Sequence, residues 1–237
     1  YNVGGLFSGV GGIELGFKQA GFDISWANEY DKTVWDTFSL NFPETLLDKR
    51  SIKKIASSEI PDCVGIIGGP PCQGFSTIGP GNSRDSRNHL FLEYVRFVKD
   101  LNPNVIVMEN VTGLLAKKNV NTLRSIFNCF EKLGYHLEIK VLSSHHYGVP
   151  QIRRRVILIG NNLKIANKYP FKEYNNVDEK IKGFKDARTV GWAFKKLLAS
   201  GKKCFNHDEG AAYVRNDMEK RRIACVPEGK SIRYERD

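Results

Sequence analysis

The sequence predicts an α/β protein built on a doubly wound, mainly parallel sheet. The first two-thirds of the chain contains short apolar runs typical of strands, at Val3–Phe7, Ile24–Asn28, Cys63–Ile67, Val105–Met108, Leu137–Leu142 and Val156–Ile159. Between some of these runs, apolar residues recur at helical spacing, over 90–101 and 123–133. Strands that alternate with helices form βαβ units with right-handed crossovers, and such sheets bind ligands at the carboxyl ends of their strands.

The character of the chain changes after about Leu163. Residues 164–237 are rich in lysine and less periodic, and the stretch LKIANKYPFKEYNNVDEKIKGF is typical of a connector. We therefore expect a catalytic and ligand-binding domain over 1–163. The remainder, 164–237, is expected to hold the connector and the start of a second, smaller region.

Composition limits the classes of partner. The 237 residues carry a net charge of +10, which favours a polyanion such as nucleic acid, although a basic, solvated surface would give the same value. The longest apolar runs fall short of a transmembrane helix, so no membrane partner is expected. The five cysteines form no C-x-x-C pair, which argues against a disulfide framework or a zinc site and favours a reducing cytoplasm.

A glycine-rich turn follows the first predicted strand and opens a helix. In LFSGVGGIELGF, Gly9, Gly11 and Gly12 allow a tight turn and close approach of a ligand to the backbone. The spacing differs from the dinucleotide fingerprint and the stretch has no P-loop lysine, so a nucleoside without a pyrophosphate fits better. Glu29 ends the second strand in ANEYD, where an acid can accept from ribose hydroxyls or simply begin a helix.

Three further side chains fall at strand ends. In GGPPCQGFS, two prolines fix the backbone before Cys72, and a turn or helix start there would favour the thiolate, although a buried free cysteine is the ordinary alternative. Glu109 ends the next strand in MENV, where a buried carboxyl can be protonated and donate a hydrogen bond. In QIRRRV, Arg153 and Arg155 lie on one side of an extended segment and suit a heterocycle or a phosphate. We expect these residues to share one crevice.

As a set, these stretches resemble the cytosine-5 DNA methyltransferases of bacterial modification systems. The matching segments are LFSGVGGIELGF, ANEYD, GGPPCQGFS, LFLEYVRFVKDLNP, MENV and YGVPQIRRRVILIG, in the family's order. The resemblance implies a Rossmann-like S-adenosylmethionine-dependent methyltransferase fold with a target-recognition region after the catalytic domain. It implies transfer of a methyl group to carbon 5 of a flipped-out cytosine in double-stranded DNA, with a cognate restriction endonuclease as a second partner.

The resemblance also assigns residues to roles. Cys72 would be the nucleophile, with Glu109, Arg153 and Arg155 around the cytosine. The S-adenosylmethionine pocket would be formed by Phe7, Gly9, Gly11, Gly12, Ile13, Glu29, Tyr30, Ser51, Ile52, Pro71 and Leu90. The polar stretch STIGPGNSRDSRNH would close over DNA, and the expected DNA contacts are Gln73, Ser76, Arg84 and Arg87. No metal ligands are expected, and His145 and His146, being adjacent, would face opposite ways in an extended segment.

The sequence departs from the family in two places. The family usually has an acid after its third strand, bonding the adenine amino group, where LDKRSIKKI has Ser51; either Ser51 or Asp48 could make that contact. The family's later motifs are not found before Asp237, so we expect the sequence to be a fragment. Two other functions stay open: a transfer-RNA cytosine-5 methyltransferase, which shares the cysteine and ENV motifs, and a non-catalytic nucleic-acid-binding regulator.

Overall fold

A computed structural model describes residues 1–71, 88–199 and 217–225. It divides the chain into two compact units, Tyr1–Thr189 and Val190–Asp237. The first unit holds the sheet and every predicted site residue that falls within the described ranges. In the second unit the described residues form two helices, α5 (Val190–Ala199) and α6 (Asp217–Ala224).

Over its described residues, the first unit has seven strands that form one sheet. The strands are β1 (Asn2–Leu6), β2 (Asp23–Asn28), β3 (Leu46–Asp48), β4 (Gly65–Gly68), β5 (Val105–Val111), β6 (His136–Ser143) and β7 (Arg154–Asn161). The helices between them are α1 (Gly12–Gln19), α2 (Trp35–Asn41), α3 (Asn88–Leu101) and α4 (Val120–Glu131).

The strand order is β3-β2-β1-β4-β5-β7-β6, and the strands from β3 to β5 are parallel. Only β7 runs antiparallel, between β5 and β6. From β1 the chain moves outward to β2 and β3 and then returns to β4 on the other side of β1. A crevice therefore opens between the carboxyl ends of β1 and β4. The prediction of a doubly wound, mainly parallel sheet is confirmed.

Alternate residues of the strands supply the apolar core on the two faces of the sheet. On one face, α3 and α4 bury Phe91, Tyr94, Phe97 and Phe130 against strand residues such as Ile66. The Tyr94 hydroxyl donates to the carbonyl of Ile66 at 3.0 Å, so this buried polar group is satisfied. On the other face, α1 packs its apolar residues against Val3, Ile24 and Ile67.

The segment after β7 belongs to the first unit. Tyr169 is buried, and its hydroxyl donates to the carbonyl of Glu138 on β6 at 2.8 Å. The division between compact units therefore falls at Thr189, whereas the sequence suggested a boundary near Lys164. The assignment of 164–237 to target recognition is functional and stays a prediction. No helix within the described ranges has both the length and the apolar character that crossing a membrane requires.

Candidate active site

Register places three predicted site segments side by side. Leu6 on β1 pairs with Gly68 on β4, and Gly68 pairs with Met108 on β5. The next residues along these strands are Phe7, Gly69 and Glu109. The glycine turn and the segment that leads to Cys72 therefore leave the sheet at the level of the predicted catalytic acid, which still lies within β5.

The glycine turn is held in a conformation that most residues avoid. Phe7, Gly9 and Gly11 all have positive φ, at 57°, 56° and 88°. This is ordinary for glycine, but for Phe7 it is strained backbone of the kind that clusters at ligand sites. At Gly11 a Cβ would lie 2.2 Å from the Phe42 ring, so the turn requires glycine there for space as well as for conformation. The α1 helix then begins at Gly12 and Ile13.

Glu29 fixes this turn from the neighbouring strand. Its Oε2 accepts the Gly9 N–H at 2.8 Å, and its Oε1 accepts the Asp31 N–H at 2.7 Å. The Trp35 ring N–H donates to the Glu29 carbonyl at 2.9 Å. Because each carboxylate oxygen has two lone-pair sites, both oxygens can accept a further hydrogen bond from a ligand. Tyr30 follows and is 71% exposed, so an aromatic surface lies beside the carboxylate.

Asp48, one of the two candidates for the adenine contact, is already bound by Arg50. Arg50 donates to Asp48 from its backbone N–H at 3.0 Å and from its Nη2 at 2.6 Å, and the same Nη2 reaches Glu59 at 2.9 Å. Burial acts to raise the pKa of Asp48, but the bonds from Arg50 outweigh it and lower that pKa. Asp48 is therefore engaged within the protein. Ser51 precedes a short 3-10 helix, Ile52–Lys54, in the same segment.

Ile52 and Leu90 were both predicted to line the cofactor pocket. The Ile52 side chain is buried in the core with 3% exposure. Leu90, near the start of α3, is partly buried against the same core. Ile52 therefore has little surface open to a ligand.

The Pro70–Pro71 turn is tied to β5. The Asn110 side-chain amide donates to the Pro70 carbonyl at 2.9 Å, and the Asn110 Oδ1 accepts the Val111 N–H at 3.0 Å. A Cβ added to Gly69 would lie 3.5 Å from Glu109 Oε2, so the acid lies beside the same turn. Cys72 follows directly but lies outside the described residues, as do the predicted DNA contacts Gln73, Ser76, Arg84 and Arg87.

Glu109 and Arg155 form an ion pair, with Arg155 Nε 2.7 Å from Glu109 Oε1. Glu109 faces Ile157 across the antiparallel β5–β7 pair, so Arg155, two residues along, is its diagonal neighbour on the same face. Both side chains are partly buried, at 29% and 24% exposure. Arg153 precedes β7 and is exposed, and its backbone N–H donates to Ser144 Oγ at 3.1 Å. The structure thus joins Glu109 to Arg155 and leaves Arg153 outside that pair.

One acid close to the site was missed by sequence reasoning. Glu14, in the first turn of α1, has no exposed surface, and neither carboxylate oxygen has a hydrogen-bond partner among the described residues. Glu14 Oε1 and Ser8 Oγ both approach Gly5, at 2.5 and 2.8 Å from where a Cβ would stand. Burial raises the pKa of Glu14; the nearby Ser8 hydroxyl opposes that rise, and the Glu29 charge adds to it. Nothing in the local sequence distinguishes Glu14 from a solvated helix residue.

The two adjacent histidines also differ from expectation. Residues 144–147 form a 3-10 helix, and the His145 and His146 rings lie 4.0 Å apart, so the expectation that they face opposite ways is wrong. Both Nε2 atoms meet Asn176 Oδ1, at 2.6 and 3.1 Å. Over the described parts of the chain, no group of three or more His, Cys, Asp or Glu side chains could hold a metal ion.

Comparisons with known proteins identify the class and then the family. The fold is Rossmann-like, and similar solved structures are methyltransferases. One, described as a DNA modification methyltransferase encoded within a prophage of E. coli, has a TM-score of 0.62 at 36% identity, covering 70% of this chain and 49% of that one. DNMT2 of Spodoptera frugiperda has a TM-score of 0.58 at 27% identity, covering 73% and 52%. The profile of the family "C-5 cytosine-specific DNA methylase" matches residues 1–233, and the chain belongs to that family.

A curated relative agrees with this assignment. The type II methyltransferase M.FnuDI of Fusobacterium nucleatum is 43% identical over 194 residues, which cover 78% of this chain and 56% of the relative. Similar coverage holds for other type II methyltransferases, so the chain spans about half the length of the curated relatives it matches.

Proposed function

We propose that the protein containing this chain methylates carbon 5 of cytosine in double-stranded DNA, using S-adenosylmethionine and a covalent bond from Cys72. One observation carries the proposal. The Glu109–Arg155 ion pair lies beside the Pro70–Pro71 turn that leads to Cys72, one strand away from the glycine turn held by Glu29. Membership of the cytosine-5 methylase family supports the proposal that this arrangement is a base-binding site next to a cofactor site.

The residues at the glycine turn fit an adenosine-type cofactor. The positive φ values bring the backbone of Phe7 and Gly9 to the edge of the crevice, and the Glu29 carboxylate keeps acceptor capacity for two ribose hydroxyls. The exposed Tyr30 ring offers a surface for the base. When bound, S-adenosylmethionine supplies an electrophilic methyl group. Ser51, rather than the engaged Asp48, is our candidate for the adenine amino group.

Chemistry at the cytosine follows from the residue types. The Cys72 thiolate adds to carbon 6, which breaks the 5,6 double bond and makes carbon 5 nucleophilic, like an enamine carbon. Glu109 stabilises the charge pushed into the ring by sharing a proton with ring nitrogen 3, and Arg155 donates to the carbonyl oxygen. After carbon 5 is methylated, a base removes its proton, the double bond re-forms and the thiolate leaves carbon 6.

The ion pair also prepares the site for the base. Because Arg155 already holds Oε1 of Glu109, the acid has a defined orientation, with Oε2 toward Gly69. A base must leave the duplex stack to reach this position, which costs a few kcal/mol. Gln73, Ser76, Arg84 and Arg87 are proposed to contact the DNA backbone around the vacated site. We further propose a cytoplasmic location and a cognate restriction endonuclease that recognises the same DNA.

The experiment compares Cys72→Ser with the unchanged protein on three substrates: duplex DNA, transfer RNA, and duplex DNA carrying 5-fluorocytosine. That analogue has no removable proton on carbon 5, so the covalent adduct persists after methyl transfer. We expect methylation of duplex DNA and a trapped adduct for the unchanged protein only. DNA affinity should be similar in both because phosphate contacts supply most of it.

Three outcomes would count against the proposal in different ways. Turnover near the unchanged level in Cys72→Ser would refute the covalent mechanism. Methylation of transfer RNA alone would identify the RNA enzyme instead. Binding of nucleic acid without methylation of either substrate would identify a regulator.

A further inference from the structure

Arg96 of α3 clamps the segment that follows β3. Its Nη2 donates to two backbone carbonyls, those of Ile52 at 3.1 Å and Ile55 at 3.0 Å. Its Nη1 donates to Ser57 Oγ at 2.9 Å. One side chain therefore holds the segment at three points. The two carbonyls belong to residues that precede Arg96 by more than forty positions in the sequence.

The guanidinium is itself held in place. Its Nε donates to Glu93 Oε2 at 2.7 Å, one turn back on α3, and its Cζ lies 4.0 Å from the centre of the Phe97 ring. Ser57 Oγ also donates to Asp100 Oδ2 at 2.6 Å, so the hydroxyl bridges Arg96 and Asp100. These contacts require the planar, fixed arrangement of N–H donors that a guanidinium has. A lysine ammonium on its flexible side chain cannot reproduce them.

The other hydrogen bonds of the clamped segment's backbone are local. It forms two single turns of 3-10 helix, Ile52–Lys54 and Ser57–Glu59. In the first turn the Lys54 N–H donates to the Ser51 carbonyl and the Ile55 N–H to the Ile52 carbonyl, and in the second the Glu59 N–H donates to the Ala56 carbonyl. Such short turns are weak by themselves. The core contacts of Ile52 and Ile55 fix their side chains, and Arg96 adds a bond from a distant helix to each of their backbone carbonyls.

We propose that Arg96 is a positioning residue for the adenine end of the cofactor site, an inference that rests on the proposed function. Ser51 is the residue proposed to face the adenine, and the Arg96 clamp begins at the carbonyl of the next residue, Ile52. Arg96 sets where the Ser51 hydroxyl stands before any ligand arrives, so that binding need not order it. Preorganisation of this kind raises affinity without a new contact to the ligand.

The test uses a graded series in the full protein. Ser57→Ala removes one acceptor, Arg96→Lys keeps the charge but not the planar arrangement of donors, and Arg96→Met keeps only the apolar stem. The matched control is Arg124→Met, because Arg124 is an exposed arginine on the neighbouring helix α4. Hydrogen exchange at the Lys54 and Ile55 amides without ligand reports the segment itself. Calorimetry reports affinity for S-adenosylmethionine and for S-adenosylhomocysteine.

We expect exchange at these two amides to quicken in the order Ser57→Ala, Arg96→Lys, Arg96→Met. Affinity for both ligands should fall in the same order, to about 10- to 50-fold for Arg96→Met, as expected when two or more hydrogen bonds are lost. The rate at saturating cofactor and the affinity for DNA should change less than twofold. Arg124→Met should match the unchanged protein in every readout.

Faster exchange with unchanged ligand affinity would overturn the inference and leave Arg96 as a fold contact. Equal weakening of DNA and cofactor binding would overturn it too, because it would indicate general loosening. If Arg96→Met does not fold, Arg96→Lys and Ser57→Ala decide the matter. Failure of the unchanged protein to bind either ligand would instead refute the proposed function, so the two failures are distinguishable.

Discussion

Replacing Glu29 with glutamine separates its two roles, because the structure shows what the carboxylate already holds. Oε2 accepts from Gly9 and Oε1 accepts from Asp31. An amide keeps the shape but has only one acceptor oxygen, so one of the two N–H groups must face an NH2 group. The variant therefore loses one hydrogen bond to a charged group and gains a contact between two donors.

The expected loss is about 1.5–3 kcal/mol in the free energy of unfolding without ligand, the range for a hydrogen bond to a charged group. Affinity for S-adenosylmethionine should fall further, because a ribose hydroxyl loses its acceptor and the Gly9 turn is no longer fixed. Urea unfolding measures the first quantity and calorimetry the second, with Glu44→Gln, an exposed acid, as the control. If unfolding and affinity both stay within about 0.5 kcal/mol of the unchanged protein, the reasoning is refuted. Lower stability with unchanged affinity would refute the ribose contact alone.

Three further predictions concern the groups around the site. Glu14→Gln should gain stability relative to the unchanged protein as pH rises from 5 to 8, measured by urea unfolding at each pH. Burial raises the pKa of Glu14 in the folded state. The stability that the protonated Glu14 contributes is therefore complete below its unfolded-state pKa near 4.3, and it is lost as pH rises through its folded-state pKa. A stability difference between the two proteins that does not change with pH would contradict this. Asn110→Ala should release the Pro70 carbonyl and slow methylation about tenfold or more with little change in cofactor affinity, whereas an unchanged single-turnover rate would exclude the tether. Gly68→Ala should lower the free energy of unfolding in urea by about 3 kcal/mol, since the added Cβ would lie 2.0 Å from the Leu6 carbonyl oxygen. The control is Gly16→Ala, in a helix with open space around it, which should be neutral or slightly stabilising. Equal effects of the two substitutions would count against the packing argument.

The parallel sheet could be predicted because its signal is local. Each of the first four predicted strands is a short apolar run followed by glycine or a polar residue, and parallel strands bring their carboxyl ends to one edge. That rule placed Glu29 and Glu109 at the crevice before any contact was known. The three-residue strand β3 was missed because Leu46–Asp48 is too short to show alternation.

Other features depend on contacts that no local pattern records. Two of the four acceptors of Arg96 are backbone carbonyls, which every residue has, so its role cannot be seen in the sequence. Nothing in the sequence around Glu14 indicates that this helix residue is buried, but it has no exposed surface beside the glycine turn. The histidine pair was read as extended, whereas 144–147 turn into a 3-10 helix whose two rings share Asn176. In each case tertiary structure decided what local propensity left open.

The glycine turn after β1 and the segment after β4 lie close together because of one row of paired residues across the sheet, Leu6, Gly68 and Met108. Because Leu6 and Gly68 pair in register, the residues after them leave the sheet together, level with Glu109 on β5, so the proposed cofactor turn and the segment leading to the proposed nucleophile are adjacent. The row also explains why position 68 is glycine, since a side chain there would strike the Leu6 carbonyl. A slip of one residue between β1 and β4 would place Phe7 opposite Pro70 instead of Gly69 and turn each side chain to the other face. The geometry of the candidate active site is therefore set by strand register first and by side-chain contacts such as Glu109–Arg155 second.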